Sequence, residues 1–145
     1  MKIHLATDHA GFDTKEHIKQ WLINTGYEIV DHGAHTFDAE DDYPDFITPC
    51  AQAVAEDDSD MGIIFGGSGQ GEAMCANRVS GVRAGVYYGR EDLVLQLLRE
   101  HNNANILSIG ARLVTDLPSV EKAVHTFITT AFLGEERHDR RIHKF

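Results

Sequence analysis

The chain has 145 residues, of which 42% are hydrophobic and 25% charged, a composition typical of one globular domain with a substantial core. Its formal net charge of −10 argues against a nucleic-acid-binding protein, which needs a basic surface. No apolar run approaches the roughly 20 residues that span a bilayer, and the amino terminus has no signal-peptide pattern, so we expect a cytoplasmic protein with no membrane partner. Cys50 and Cys75 both fall in helical patterns. We expect them to be small core residues of a protein in a reducing compartment rather than a disulfide framework.

Strand and helix patterns alternate along the chain. Short apolar or alternating runs predict five strands, at residues 2–7, 27–31, 61–65, 82–87 and 106–110. Apolar residues at helical spacing predict helices at about 13–24, from about 45 with Pro49 in its first turn, and at 73–79, 91–100 and 116–131. Residues 101–105 read as a polar break before the fifth strand.

This alternation predicts a Rossmann-like three-layer α/β/α sandwich with a five-stranded parallel sheet. We expect a single domain over residues 1–145, of which residues 134–145 form a basic C-terminal tail. Residues 137–145 hold four arginines or lysines and one aspartate, whereas the remainder of the chain is acidic. Such a tail is either a solvated segment or an anion-binding piece delivered to a site elsewhere, for example on a partner subunit.

A glycine-rich turn, Gly66-Gly67-Ser68-Gly69-Gln70-Gly71, joins the third strand to the following helix. Glycines let the backbone turn sharply and approach a ligand, and the helix start offers free N–H groups to an anion. Glu72 is the one ionisable side chain there and is suited to act as a general base beside those donors. The alternative is a purely structural strand-to-helix turn, in which the helix dipole favours an acidic residue in the first helical turn.

Ligands of open parallel sheets bind at the carboxyl ends of the strands. This rule predicts that Asp8 and His9 after the first strand, the glycine-rich turn after the third and Arg112 after the fifth share one edge. His101 and Asn102 precede the fifth strand, so topology alone does not bring them to that edge.

Several short motifs occur in an order that resembles the type B ribose-5-phosphate isomerase family, which also contains the galactose-6-phosphate isomerase subunits. The resemblance covers nearly the whole chain. The motifs are Asp8-His9-Ala10-Gly11, Asp42-Tyr43-Pro44, the glycine-rich turn, Ala76-Asn77-Arg78, His101-Asn102-Asn103, Gly110-Ala111-Arg112 and Arg137-His138-Asp139-Arg140-Arg141.

The resemblance implies a cofactor-independent and metal-independent aldose–ketose isomerase of the pentose phosphate pathway that converts ribose 5-phosphate to ribulose 5-phosphate. It further implies a homodimer or homotetramer in which subunits share sites. In much of the family a cysteine before the glycine loop removes the C2 proton, but that position here is Gly66. A subset of the family has a glutamate directly after the loop, and Glu72 matches it; Cys75 does not match the cysteine position.

The resemblance also implies a role for each of the remaining site residues. His101 matches the acid–base group that opens the sugar ring. Asp8, His9 and Asn102 match substrate contacts. The loop residues match the donors that hold the enediolate oxygens, and the arginines match a phosphate clamp. These two sets are Gly67, Ser68, Gly69, Gln70 and Gly71 for the loop, and Arg112, Arg137 and Arg141 for the clamp.

Other interpretations stay open on the sequence alone. The substrate could be a four- or six-carbon sugar phosphate, or the chain could be one of two paired subunits. A non-catalytic phosphosugar-binding protein and a flavodoxin-like or nucleotide-binding module are further hypotheses. His101 could instead be a helix C-terminal histidine stabilised by the dipole, His138 solvent-facing or structural, and Tyr43 a packing residue rather than a pocket wall.

Overall fold

The computed structural model describes all of residues 1–145, and it confirms the predicted three-layer α/β/α sandwich. The five strands are β1 (Lys2–Thr7), β2 (Glu28–Asp31), β3 (Met61–Gly66), β4 (Ala84–Tyr87) and β5 (Ile106–Gly110). The six helices are α1 (Phe12–Asn24), α2 (Pro44–Glu56), α3 (Gln70–Ala76), α4 (Leu93–Asn102), α5 (Leu117–Thr129) and α6 (Glu136–Ile142), with a short 3₁₀ turn at His9–Gly11. The strands are all parallel, in the order β2-β1-β3-β5-β4.

Helices cover both faces of the sheet because alternate strand residues point to opposite sides. One core cluster joins α1, α4 and α5 to residues such as Leu5 and Phe65. The second cluster joins α2 and α3 to the neighbouring residues of the same strands, such as Ala6 and Ile64. No helix in the structure is both long and apolar enough to cross a membrane.

The strand order fixes where a ligand can bind. The chain leaves β1 toward β2 on one side and returns to place β3 on the other side of β1. Such a reversal opens a crevice beyond the carboxyl ends of the two strands. Asp8 follows β1 and Gly67 follows β3, so the residues expected to bind substrate flank this crevice.

Several predicted boundaries were wrong. Helix α2 begins at Pro44, where a proline fits the first helical position, so Pro49 lies in the second turn rather than the first. Helix α3 begins at Gln70 rather than Ala73, because the turn is completed within the glycines before it. Strand β4 begins at residue 84 rather than 82.

The polar break predicted at 101–105 is shorter than expected. His101 and Asn102 are the last residues of α4, and Asn103 ends that helix in a left-handed conformation with φ +44°. Asparagine is one of the few residues that tolerates this conformation, which explains how a polar triplet continues and then stops a helix.

The C-terminal tail contains a helix, α6, rather than only a solvated segment. Its His138 is 5% exposed and stacks on His101 of α4, with ring centroids 4.2 Å apart and an angle of 10° between the planes. The alternative that His138 is solvent-facing was therefore wrong. Arg137 and Arg141, four residues apart in the same helix, are both exposed.

A buried lysine ties α1 to β2. Lys15 is fully buried, and its Nζ donates to Asp31 Oδ1 and Oδ2 at 2.8 and 2.9 Å and to the Ala34 carbonyl at 2.9 Å. Glu16 Oε1 lies 2.8 Å from the same ammonium. Burial alone would raise the pKa of Asp31, but the hydrogen bonds from Lys15 and Lys19 outweigh burial and lower it to about 2.

We expect Asp31→Asn to lower the free energy of unfolding by about 3 kcal/mol at pH 7, because the buried Lys15 ammonium loses its principal partner. A carboxylate with a lowered pKa stabilises the fold above its ordinary pKa, and this stabilisation is lost as the pH falls from about 4 to about 2. Urea unfolding at pH 7 and at pH 3 measures both effects. Glu28→Gln, an exposed change on the same strand, is the control, and an equal loss in both variants would contradict the account.

Candidate active site

The glycine-rich turn is rigidly tied to the neighbouring strand. Gly69 has φ +77°, a conformation that glycine adopts without the penalty other residues incur. The Ser108 hydroxyl of β5, itself fully buried, donates to the Gly69 carbonyl at 2.7 Å. Helix α3 then starts at Gln70, whose N–H donates to Ser68 Oγ at 3.3 Å. The turn is therefore held in one shape before any ligand binds.

The turn presents unused backbone donors. The N–H groups of Gly67, Ser68 and Gly69 make no hydrogen bond to any protein acceptor. A pre-organised cluster of such donors is suited to hold developing negative charge on oxygen. The loop thus has the electrostatic character that the sequence predicts for it.

The Glu72 side chain folds back over the end of β3. A Cβ built on Gly66 would overlap its carboxylate, so the carboxylate occupies the space that any side chain at position 66 would take. Glu72 is 5% exposed. Burial raises its pKa above the ordinary value, its own backbone amide opposes that shift, and the charge of Asp8 adds to it. A higher pKa makes this carboxylate a better general base near neutral pH.

Three other predicted residues lie at the same edge. Asp8 is 7% exposed, and its Oδ1 accepts from the Ala10 N–H at 2.9 Å, capping the short turn after β1. Arg112 donates its backbone N–H to the Gly67 carbonyl at 3.2 Å, and its guanidinium lies 3.5 Å from the point where a Cβ of Gly67 would stand. The Arg112 charge also acts on His9 and opposes protonation of that ring.

Two residues of this edge were not assigned to the site from the sequence. The Tyr43 hydroxyl lies beside Gly71, 2.9 Å from where a Cβ would stand, and the ring packs against the second core cluster. Asp41 accepts from the His9 Nδ1 at 2.7 Å and from the His9 backbone N–H at 3.0 Å. The long acidic loop before α2 signalled a functional segment, but no pattern in it distinguishes Asp41 from its acidic neighbours.

The remaining predicted residues cluster elsewhere. His101 stacks on His138, which also accepts from Arg137 Nε at 3.1 Å. Burial, His101 and Arg137 lower the pKa of His138. Asn102 and Arg141 lie in the same two helices, and Asn102 Nδ2 donates to the Leu97 carbonyl at 3.2 Å.

Within one chain, this second cluster and Glu72 lie at opposite ends of the parallel strands. Gly110, at the carboxyl end of β5, is paired with Gly66, over which Glu72 lies, whereas His101 ends the helix that leads into the amino end of β5. Strand β5 alone spans about 13 Å. Within one chain, the predicted site residues therefore form two separate groups.

A groove of about 530 Å³ adjoins the second cluster, and Asn102 is the one predicted site residue that lines it. Its walls are largely apolar and include Val82, Leu98 and Ile142. The groove lacks every ionisable group of the Glu72 edge, so the candidate catalytic groups lie instead at the carboxyl ends of the strands.

Asp8, His9 and Asp41 place one potential metal-ligand atom each within 4.8 Å of one another. In this structure those atoms bind one another and the backbone: His9 donates to Asp41, and Ala10 donates to Asp8. The arrangement is that of an oriented histidine between two carboxylates.

Comparison with known proteins agrees with this geometry. A family model described as Ribose/Galactose Isomerase matches residues 3–145. Ribose-5-phosphate isomerase B of Mycolicibacterium paratuberculosis is 41% identical over 142 residues, which cover 98% of this chain and 87% of that protein. The protein of the same name from Escherichia coli is 37% identical over 145 residues, covering 97% and 91% of the two chains.

A solved structure is similarly close. The crystal structure of ribose-5-phosphate isomerase B from Mycoplasma genitalium, with bound ribulose-5-phosphate, has a TM-score of 0.92 to this chain at 38% identity. The match covers 99% of this chain and 92% of that one. Fold, crevice and these relatives together define the chain as an enzyme of the aldose–ketose isomerase class. It belongs to the ribose/galactose isomerase family, whose model spans almost all of its length.

Proposed function

We propose that this chain interconverts ribose 5-phosphate and ribulose 5-phosphate by proton transfer through a cis-enediolate, with Glu72 as the base. The observation that carries the proposal is the buried Glu72 carboxylate beside the free N–H groups of the glycine-rich turn. The names of the relatives and the ribulose-5-phosphate bound to one of them supply the substrate.

The chemistry needs one base and a set of fixed donors. Glu72 removes the proton from C2 of the open-chain aldose, and the electron pair forms the C1–C2 double bond while charge develops on the C1 oxygen. The N–H groups of residues 67–69 and the Ser68 hydroxyl stabilise that oxygen. Glu72 then returns the proton to C1, and the proton of the C2 hydroxyl passes to the C1 oxygen as the C2 carbonyl forms. No oxidant or reductant is required.

Glutamate replaces the more usual cysteine base in this account. The resemblance places that cysteine at the position of Gly66, and the Glu72 carboxylate fills the space above Gly66. A cysteine at position 66 and a glutamate at position 72 would therefore place a base at the same point. This coincidence supports the assignment of this chain to the glutamate subset. The same overlap predicts that a side chain at position 66 and the Glu72 carboxylate would compete for one space.

Phosphate binding and ring opening need the second cluster. Arg112 and His9 supply positive charge beside the crevice, whereas His101, Asn102, Arg137 and Arg141 lie at the other edge of the same chain. We propose that a second copy brings its His101 cluster to the Glu72 crevice, in a homodimer or a pair of such dimers. His101 then acts as the acid–base group of ring opening, and the arginines hold the phosphate bidentately.

Mixing two inactive variants tests this sharing of sites. We expect Glu72→Gln and His101→Ala each to be severely impaired, and their mixture, after subunit exchange, to recover about a quarter of wild-type activity. Half of the random dimers contain one intact site out of two. Mixing Glu72→Gln with Arg112→Ala is the control. If both residues act in the site of their own chain, each mixed dimer has one damaged residue in each of its two sites, and we expect no recovery. A His101 mixture with no recovery would contradict the sharing.

A substrate panel tests the proposed function itself. We expect the highest kcat/KM with ribose 5-phosphate, against four-carbon and six-carbon aldose phosphates, in an assay that follows ketose formation. A six-carbon preference would move the assignment to the galactose side of the family that the matching model describes. Ligand-induced stabilisation without turnover on any substrate would instead favour a phosphosugar-binding protein.

The free thiols of Cys50 and Cys75 support a location in the reducing cytoplasm.

A further inference from the structure

The Asp41 side chain forms hydrogen bonds with a single residue, His9. Asp41 lies in the loop between β2 and α2, yet its side chain is only 9% exposed. Its Oδ1 accepts two hydrogen bonds, from the His9 backbone N–H at 3.0 Å and from His9 Nδ1 at 2.7 Å. Its Oδ2 is buried and has no protein donor at all. A buried carboxylate is unfavourable unless it is paired, and here the whole of that pairing is with His9.

The contact fixes the state of the His9 ring. Because Asp41 is an acceptor, His9 Nδ1 carries a proton and points at Asp41, which leaves Nε2 as the ring nitrogen free to meet a ligand. His9 Nδ1 is also 3.9 Å from Asp8 Oδ2, and the Phe37 ring stands edge-on at 6.5 Å between centroids. The ring is therefore held on several sides, by Asp41, Asp8 and Phe37.

We propose that Asp41 is a positioning residue that orients His9 so that its Nε2–H meets the anionic phosphate of the substrate next to Arg112. This inference rests on the proposed function for the identity of the phosphate compound, but its geometry involves only residues of this chain. The charged groups that face His9 are Asp41, Asp8 and Arg112. The hydrogen bond to Asp41 raises the pKa of His9 most, burial and Arg112 oppose it, and Asp8 adds to it.

The sign of the pH effect follows from this balance. A raised pKa keeps His9 protonated to higher pH, so phosphate binding is favoured at low pH and weakens as the pH rises through the His9 pKa. Removing the Asp41 charge moves that weakening to lower pH. If Asp41 only anchored the loop and had no electrostatic effect on His9, removing its charge would not change the pH at which phosphate binding weakens.

The test compares Asp41→Asn with Glu40→Gln. Asparagine keeps the shape and the acceptor oxygen of Asp41 but removes its charge, and Glu40 is an exposed neighbour that loses the same charge. The first readout is the ¹⁵N NMR titration of the His9 ring in the ligand-free protein. We expect its pKa to fall by about 1 unit in Asp41→Asn and to stay close to the wild-type value in Glu40→Gln.

The second readout is binding and turnover as a function of pH. For Asp41→Asn we expect inorganic phosphate affinity to fall, and KM for ribose 5-phosphate to rise, by about five- to tenfold near pH 7.5, with kcat within about twofold. Both differences should shrink as the pH falls and His9 becomes protonated in both proteins. An unchanged His9 pKa together with unchanged phosphate affinity overturns the proposal, as does an equal loss at every pH.

The two readouts separate this inference from the proposed function. If the chain does not turn over ribose 5-phosphate, the wild-type protein shows that directly in the substrate panel. The His9 titration and the binding of inorganic phosphate need no turnover and still report on Asp41.

Discussion

Replacing Glu72 with glutamine is expected to lower kcat by about 10²- to 10⁴-fold, the usual contribution of a general acid–base group, while leaving the fold intact. Glutamine has the shape of glutamate, so it fills the space above Gly66 equally well. The amide cannot accept the C2 proton, and Asp8 is the one other carboxylate whose charge acts on position 72. Steady-state kinetics with ribose 5-phosphate measure the loss, and circular dichroism with thermal unfolding checks the fold.

Two further variants make that result specific. Glu72→Asp keeps a carboxylate on a shorter side chain and should retain more activity than Glu72→Gln. Glu136→Gln removes an exposed carboxylate from α6 and should leave kcat unchanged. Activity of Glu72→Gln within tenfold of wild type would show that another group removes the proton.

A methyl group added at Gly66 is expected to be nearly as damaging to turnover. Gly66 has no positive φ, so its backbone accepts alanine, and the damage comes from overlap of the new Cβ with the Glu72 carboxylate. We expect Gly66→Ala to lower the free energy of unfolding by about 1–3 kcal/mol, the usual cost of overpacking, and to reduce kcat strongly because the base is displaced.

A double-mutant cycle isolates this overlap. Adding Glu72→Ala to Gly66→Ala should restore most of the lost stability without restoring turnover, since contacting residues couple by about 0.5–3 kcal/mol. Gly66→Cys combined with Glu72→Ala should be more active than Glu72→Ala alone, because a thiol then occupies the position of the missing carboxylate. Strictly additive stabilities, measured by urea unfolding, would mean that the two positions do not share that space.

The fold could be predicted from the sequence because its signals are local. Alternating strand and helix patterns gave all five strands and the three-layer class, and both are confirmed. The boundary errors occurred where local signals conflict. Pro49 was expected in the first turn of α2 but lies in the second because Pro44 begins the helix, and polar residues 101–103 suggested a break although the first two continue α4. In both cases packing of the helix on the sheet outweighs the propensity of a few residues.

The site could be predicted only where chain order determines position. Residues after β1, β3 and β5 meet at one edge of any such sheet, so Asp8, Arg112 and the glycine-rich turn lie together. The contact of Asp41 with His9 depends on the path of a long loop, and the stacking of His138 on His101 depends on where α6 docks. No local sequence pattern predicts the loop path or the docking of α6. The overlap of the Glu72 side chain with the space above Gly66 likewise depends on the tertiary structure.

The proton transfer between neighbouring carbons of a phosphorylated sugar that we assign to Glu72 can be followed by proton NMR. The experiment compares wild type and Glu72→Gln with ribose 5-phosphate in deuterated water over many turnovers. We expect ribulose 5-phosphate signals from wild type, with deuterium accumulating at the exchanging carbons, and neither change with Glu72→Gln. Conversion by wild type with the proton fully retained, or undiminished exchange in Glu72→Gln, would contradict this role of Glu72.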